Sequence, residues 1–397
     1  MPQDEMPQLT AGMESTAPPS SQLAPRAAYI HVPFCAHRCG YCNFTVVANR
    51  QDLIPAYLDA LATELACISG SHEVDTLFFG GGTPSQLALK PMEQLFSIVR
   101  EAFPLASDGE LSVEVNPVDL TPEKAKLLAT AGVTRISLGA QSFNAGVLRT
   151  LERDHTGDDI RRAVNLARTF ARSVSLDLIF ATPDQTIGAW ERELAAVLEL
   201  EPDHVSTYGL TYERGTSFWS RLNKSELNEI NEETQRQMYL LAIERLAAGG
   251  LEHYEISNFA RSGHRCRHNE GYWSGDEYFA AGPGAARHIA GERSTNHRST
   301  LTWIKRLRAG QSPITERETL LAHDKARETL VLGLRRIEGI DQREFQRKTG
   351  FTASELLGNS LNQWLRLRLV VFDGGRIRLT RNGMLLSDQM WSEVLRI

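Results

Sequence analysis

From about residue 27 to residue 210 the chain alternates short apolar, β-branched runs with longer stretches in which apolar positions recur every three or four residues. Short runs bounded by turn residues read as strands, and the longer periodic stretches read as amphipathic helices. Strands are expected over residues 28–32, 76–80, 111–116, 134–139, 173–180 and 204–210. Helices are expected between them, over 55–69, 90–102, 121–131 and 160–171, the third opening on Thr121-Pro122-Glu123 as cap, first helical residue and early acid. Six such βα units predict an α/β chain built on a partial (β/α)6 TIM-type barrel, whose functional groups gather at the carboxyl ends of the strands.

Outside that alternation the pattern changes twice. Residues 1–26 are rich in Pro, Ser, Gln and Ala without apolar periodicity, which predicts a disordered tail; its early acids Asp4 and Glu5 do not suit a targeting peptide. The barrel is expected over 27–235, with an extension over 236–312. Residues 313–397 form a smaller α+β domain: a helix over 356–366, a strand over 367–371, a turn at Asp373-Gly374-Gly375, a strand over 376–380 and a last helix over 382–394. That order is winged-helix-like.

Composition narrows the partners. A net charge of -6 over 397 residues gives no general attraction to nucleic acid or anionic lipid, so Arg366, Arg368, Arg376, Arg378 and Arg381 of the C-terminal domain predict no nucleic-acid binding. No apolar run reaches membrane-spanning length, and five cysteines, mostly in one loop, fit a reducing cytoplasm.

That loop, Cys35-Ala36-His37-Arg38-Cys39-Gly40-Tyr41-Cys42, follows the first strand. Three thiolates are one fewer than a closed zinc or [4Fe-4S] site takes. A zinc completed by His31, His37 or a distant histidine is one reading; a cluster whose open iron holds a small molecule is the other. Later strand ends add Phe79-Gly80-Gly81-Gly82-Thr83-Pro84, Glu114-Val115-Asn116-Pro117, Ser137 through Phe143, and Asp177 within a Leu/Ile/Phe run. A glycine run permits close backbone approach to a ligand. A carboxylate inside an apolar strand costs several kcal/mol unless partnered, so Glu114 and Asp177 each expect a ligand or an arginine such as Arg135 or Arg153.

Tyr29 to Phe44, with its C-x3-C-x2-C spacing, resembles the radical S-adenosylmethionine (SAM) family. GGGTP, E-x-N-P, SLG-x-QSF and D-L-I follow in the order found in its oxygen-independent coproporphyrinogen III oxidase branch. The resemblance implies a [4Fe-4S] cluster on Cys35, Cys39 and Cys42, with SAM completing the fourth iron and yielding a 5'-deoxyadenosyl radical on reduction. It implies that Tyr29, Gly81 and Glu114 meet one SAM. Tyr41, Gly82, Thr83, Gln141, Arg153 and Asp177 are similar to the second-SAM contacts of the dehydrogenases. Ala181 stands where the family has the glycine of G-x-P.

Within the branch, dehydrogenases oxidise coproporphyrinogen III, whereas HemW-type haem chaperones bind haem and hand it to acceptor haemoproteins, membrane-associated respiratory proteins among the candidates. Phe44 stands where the dehydrogenases carry a fourth cysteine, and His268-Asn269-Glu270-Gly271-Tyr272-Trp273 resembles the chaperones' HNxxYW motif. The resemblance therefore implies haem as cargo, with His268 the leading axial ligand ahead of His264 and Cys266. It also implies that the C-terminal domain covers the barrel mouth. Homodimerisation stays open.

Overall fold

The computed structural model describes residues 24–68 and 70–395, so the expected tail falls outside the described residues up to Gln22-Leu23. Six parallel strands form the main body: β1 (Ala27–Val32), β2 (Val74–Gly81), β3 (Leu105–Val115), β4 (Arg135–Gln141), β5 (Ser173–Phe180) and β6 (His204–Gly209). Helices α1 (Ile54–Ala66), α2 (Leu89–Ala102), α3 (Pro122–Thr130), α4 (Gly157–Ala167) and α5 (Ile187–Glu199) connect them. The last three start on a side-chain cap: Thr121 accepts from the Lys124 amide, Thr156 forms a capping box with Asp159, and Thr186 accepts from the Ala189 amide.

The alternation along each strand sorts side chains between two environments. Ala28, Ile30 and Val32 are fully buried against the helical layer, as are Leu111, Val113, Leu176 and Leu178. The intervening Tyr29, His31, Ser112, Glu114, Ser137, Ser175 and Asp177 face the barrel interior, which is consequently polar and held by side-chain hydrogen bonds.

Three further strands extend the sheet: β7 (Glu252–Glu255), β8 (Asn258–Ala260) and β9 (Phe279–Ala281), giving the order β9-β1-β2-β3-β4-β5-β6-β8-β7. Helix α6 (Glu232–Ala248) precedes them, and α7 (Arg267–Ser274) packs across the amino ends of β2 and β3, with the Arg267 and His268 amides donating to Glu110. Glu64 of α1 ties this region down: it is 2% exposed and accepts from the Gly282 amide (2.9 Å), Asn296 Nδ2 (2.6 Å) and Trp303 Nε1 (3.1 Å).

The C-terminal unit has its own core around Leu330, Trp364, Ile377 and Trp391, and begins with α8 (Ala322–Leu334). Its small antiparallel sheet pairs Val370–Asp373 with Arg376–Leu379 and the latter with Ile340–Asp341. Both expected long helices are broken. The first divides into Ala353–Leu357 and Asn359–Arg366 at Gly358, where φ is +52°, and the last into Arg381–Leu385 and Ser387–Leu395. Among the described residues no part of the unit reaches the cavity at the carboxyl ends of the strands. The unit docks on α7 and the β7–β8 hairpin, through Ile337 N to Tyr254 O (3.0 Å), Lys348 to Asp276 (2.8 Å) and Arg335 stacked over Trp273.

Candidate functional site

A cavity of about 740 Å3 opens at the carboxyl ends of β1 to β6, within the range that holds small-molecule ligands. The order of the strands creates it: the loops after β1, β2, β3, β4 and β5 all emerge at the same end. Cys35, Cys39, Tyr41, Cys42, Gly81, Gly82, Thr83, Glu114, Gln141, Arg153 and Asp177 line it together. No residue beyond Glu213 lines it among the described residues.

The cysteine loop is held from its backbone outward. Phe34–Cys35 pairs with Val47–Ala48, Thr83 N donates to Phe34 O (2.8 Å), and Phe218 N donates to Gly40 O (2.8 Å). A side chain at Gly40 would strike the Phe218 ring and Glu152. All three thiols are left partly exposed to the cavity. Cys35 Sγ lies 3.4 Å from Thr83 Oγ1, and Arg153 Nη1 reaches Cys39 Sγ at 3.7 Å. Burial pushes the Cys35 thiol up to about 11 and raises that of Cys42, each also opposed by its neighbouring cysteines. Thiols so raised stay protonated and hold no metal until a cationic centre displaces the proton. Among the described residues no group of His, Cys, Asp or Glu converges tightly enough to hold a single metal ion. Mononuclear zinc needs that convergence, whereas the larger [4Fe-4S] core accepts three cysteines spread around a loop.

Opposite the cysteines, Gly81 has φ +100°, and a Cβ there would lie 2.2 Å from the His31 ring. Gly82 packs as closely on the backbone of Val32 to Phe34. The Gly81 amide donates to Glu114 Oε2 at 2.9 Å, which turns the carboxylate across the cavity floor. Neither Glu114 nor Asp177 makes a direct contact with Arg135 or Arg153 among the described residues: Arg153 donates to Asn116 and Gly139, and Arg135 donates to Ser173 and the His264 carbonyl while acting on Asp177 only from a distance. Burial, with Asp177 nearby, pushes Glu114 up to about 8, and burial likewise raises Asp177, which accepts from Ser137 Oγ at 2.9 and 3.1 Å. Two acids whose charged forms burial disfavours would each gain from a partner, Glu114 from a cationic ammonium and Asp177 from ribose hydroxyls.

Arg153 is the buried cation of the site. Its Nη2 donates to Asn116 Oδ1 (2.6 Å) and Gly139 O (3.1 Å), and its Nε is buried with no partner among the described residues. An anion in the cavity would complete it. Asn116 and Ser137, which position Arg153 and Asp177, carried a signal in the E-x-N-P and SLG motifs but were assigned no role from sequence. Phe44, Ile179, Tyr208 and Leu210 supply an apolar wall; Phe44 and Ile179 lie in motifs named above, whereas no motif indicated Tyr208 or Leu210.

Tyr29 and His268 are not at this cavity. Tyr29 sits deeper, its hydroxyl hydrogen-bonded with His31 Nδ1 (3.1 Å) and its ring near Phe78. His268 is 2% exposed at the other end of the barrel, stacked on Phe78, with Nδ1 hydrogen-bonded to Thr76 Oγ1 (2.9 Å) and Nε2 to the Tyr272 hydroxyl (3.0 Å). Burial lowers it to about 3, so it is neutral, and as folded both nitrogens are occupied. Cys266 is buried beside Glu110, its thiol raised to about 12 chiefly by burial. Ala181, where the resemblance expects glycine, adopts φ +58°, a left-handed conformation an alanine holds under strain.

Residues 29–196 match the model of the Radical SAM superfamily, and residues 320–386 match the HemN C-terminal domain. Heme chaperone HemW of Bacillus subtilis is 32% identical over 375 residues, covering 93% of this chain and 99% of its own length. Heme chaperone HemW of Mycobacterium tuberculosis is 35% identical, covering 92% of this chain and 93% of its own. A mitochondrial radical S-adenosyl methionine domain-containing protein 1 of Danio rerio is 32% identical over 92% of this chain and 86% of its own. In three dimensions the chain overlays coproporphyrinogen III oxidase (HemN) of Escherichia coli, a radical SAM enzyme, with a TM-score of 0.82 at 23% identity, covering 94% of this chain and 90% of that one, a likeness of fold.

Proposed function

Because the chain belongs to the HemW family of radical SAM proteins, we propose that it binds haem and passes it to acceptor haemoproteins, with a [4Fe-4S] cluster on Cys35, Cys39 and Cys42 and SAM in the adjoining cavity. The observation that carries the reading is the convergence on one cavity of three partly exposed thiols with Gly81, Glu114, Gln141, Arg153 and Asp177. A cluster bound there would supply one iron free of protein ligands, and with it the means to hold and reduce a small molecule.

The side chains divide the work. Cys35, Cys39 and Cys42 offer the cluster three sulfurs, and Arg153 offsets part of the negative charge on Cys39. Glu114 accepts an ammonium, and its proton leaves as that cation arrives. Asp177, set by Ser137, accepts hydroxyls, while Gly81 and Gly82 let the ligand lie against backbone. Tyr208, Ile179 and Leu210 keep an apolar side toward it.

Anaerobic reconstitution tests the reading. Replacing Cys39 by Ser is expected to remove the cluster's visible absorbance and paramagnetic-resonance signal. Purified protein is expected to take up haem with a Soret shift and to transfer it to an apo-haemoprotein. Conversion of coproporphyrinogen III by the same preparation, without haem uptake, would assign the chain to the dehydrogenases instead. Iron ligation by His268 requires both its hydrogen bonds to break, so His268→Ala should weaken and blue-shift the haem spectrum.

A further inference from the structure

A line of buried polar side chains runs from Asp177 through the barrel interior to the start of α7 at the other end. Ser175 lies two residues before Asp177 on β5 and so shares its inward face. In the sheet register it stands opposite His204 of β6, as Asp177 stands opposite Ser206. Ser175 Oγ is 2.8 Å from His204 Nδ1, and His204 Nε2 is 2.8 Å from the hydroxyl of Tyr254 on β7. The backbone amide of Cys266, the residue immediately before α7, reaches that hydroxyl at 3.3 Å. None of these four residues is more than 4% exposed, so bulk water does not stand in for a missing partner.

The direction of each hydrogen bond follows from counting protons. The Cys266 amide can only donate, so the Tyr254 oxygen accepts from it. The one hydroxyl proton of Tyr254 is left for His204 Nε2, its other partner among the described residues. His204 is neutral, because burial, with Arg135 and His264 nearby, holds it well below the ordinary histidine range. With Nε2 accepting, its single N–H is on Nδ1 and donates to Ser175 Oγ. The Ser175 proton is then free for Asp177, to which its side chain is hydrogen-bonded alongside Ser206 and Ser137. The reverse order leaves a buried Tyr254 proton unused and turns the Ser175 proton toward His204, away from Asp177.

We infer that His204 and Tyr254 are positioning residues for Asp177: neither lines the cavity, yet together they hold the Ser175 hydroxyl as a donor to the carboxylate that faces it. Serine donors on Asp177 favour its ionised form against burial, and an ionised carboxylate is the stronger acceptor for a ligand hydroxyl. The assignment rests on the reading of Asp177 as a SAM contact and goes beyond it, since it traces the setting of that carboxylate to residues outside the cavity. The line also ends two residues before His268, so it joins the cysteine end of the barrel to the helix that carries the HNxxYW motif.

Two measurements on the full-length chain test this. Long-range 1H–15N correlation spectra of the cluster-free protein read the tautomer of each histidine, with the His204 signals identified by their loss in His204→Asn. His204 should carry its proton on Nδ1, and Tyr254→Phe, which removes the donor to Nε2, should populate the Nε2 tautomer. A wild-type His204 protonated on Nε2, or on both nitrogens, would overturn the relay whether or not SAM binds. SAM is then titrated calorimetrically into the cluster-loaded protein. Ser175→Ala and Tyr254→Phe should each weaken it about fivefold, but by under about twofold when Asp177 is already Asn. Equal losses in the two backgrounds would mean a general structural effect and, like no loss in either, would overturn the positioning role. A wild type that binds no SAM but shows the Nδ1 tautomer would uphold the relay and sink the SAM reading.

Discussion

Replacing Glu114 by Gln removes a titrating group while keeping shape and the acceptor for the Gly81 amide. In the ligand-free protein Glu114 is raised from 4.5 to about 8, chiefly by burial. Between those values the folded state holds a proton that the unfolded state has released, so stability falls as pH rises. It is fully present below about pH 4.5 and minimal above about pH 8. A shift of 3.5 units corresponds to at most about 5 kcal/mol, at about 1.36 kcal/mol per unit, and to about 3 kcal/mol by pH 7. The carboxyl faces a cavity that water enters, so about half of that, roughly 1.5–2 kcal/mol at pH 7, is the working value. Thermal melts of the cluster-free protein and variant from pH 5 to 8.5 read it directly. The Gln variant should gain on the wild type by about 4 °C or more across that range, with near-equal melting at pH 5. Parallel curves for the two proteins would refute the assignment of a raised pKa. In the loaded protein the same group predicts release of about one proton when an ammonium binds at pH 7, seen by calorimetry as heat that varies with the buffer.

Three other substitutions test the frame around the site. Glu64→Ala strips the acceptor from Gly282, Asn296 and Trp303 at once and should cost about 3–5 kcal/mol in denaturant titration, against under half that for Glu64→Gln. Ala181→Gly relieves a left-handed alanine at φ +58° and should raise stability by about 0.5–1 kcal/mol, the gain limited by the greater freedom of glycine in the unfolded chain. A loss of stability would show that the neighbours, and not the backbone angle, set that residue. Gly81→Ala drives a methyl into the His31 ring from a φ of +100° and should cost about 3 kcal/mol or more while weakening cluster retention, measured by denaturation and by iron content.

Much of the barrel was readable because strands and helices differ in period, and the period is a local property. The six parallel strands lie where the apolar runs place them, and β3 starts earlier because Leu105 and Glu110 pair with Val74 and Thr76 of β2 on either side of an irregularity. Most of the cavity was readable for a related reason: strand ends of a βα fold share one end, so motifs spaced along the chain meet there. The breaks at Gly358 and before Ser387 escaped because both halves keep helical period, and only packing within the C-terminal core sets the angle between them.

What the chain determined by itself is the chemistry of its short segments: three cysteines at cluster spacing, glycines where backbone must approach, acids inside apolar strands. Where those segments end up was decided by contacts between residues far apart in sequence. His268 carries the right atoms, but α7 seals it against Thr76 and Phe78, 192 residues away in the case of Thr76. A cavity of about 820 Å3 at that end likewise exists only because the C-terminal unit docks there and sets α8 beside α7. Such placement depends on which surfaces bury each other, a choice made by summed packing across the whole molecule, and no local pattern records it.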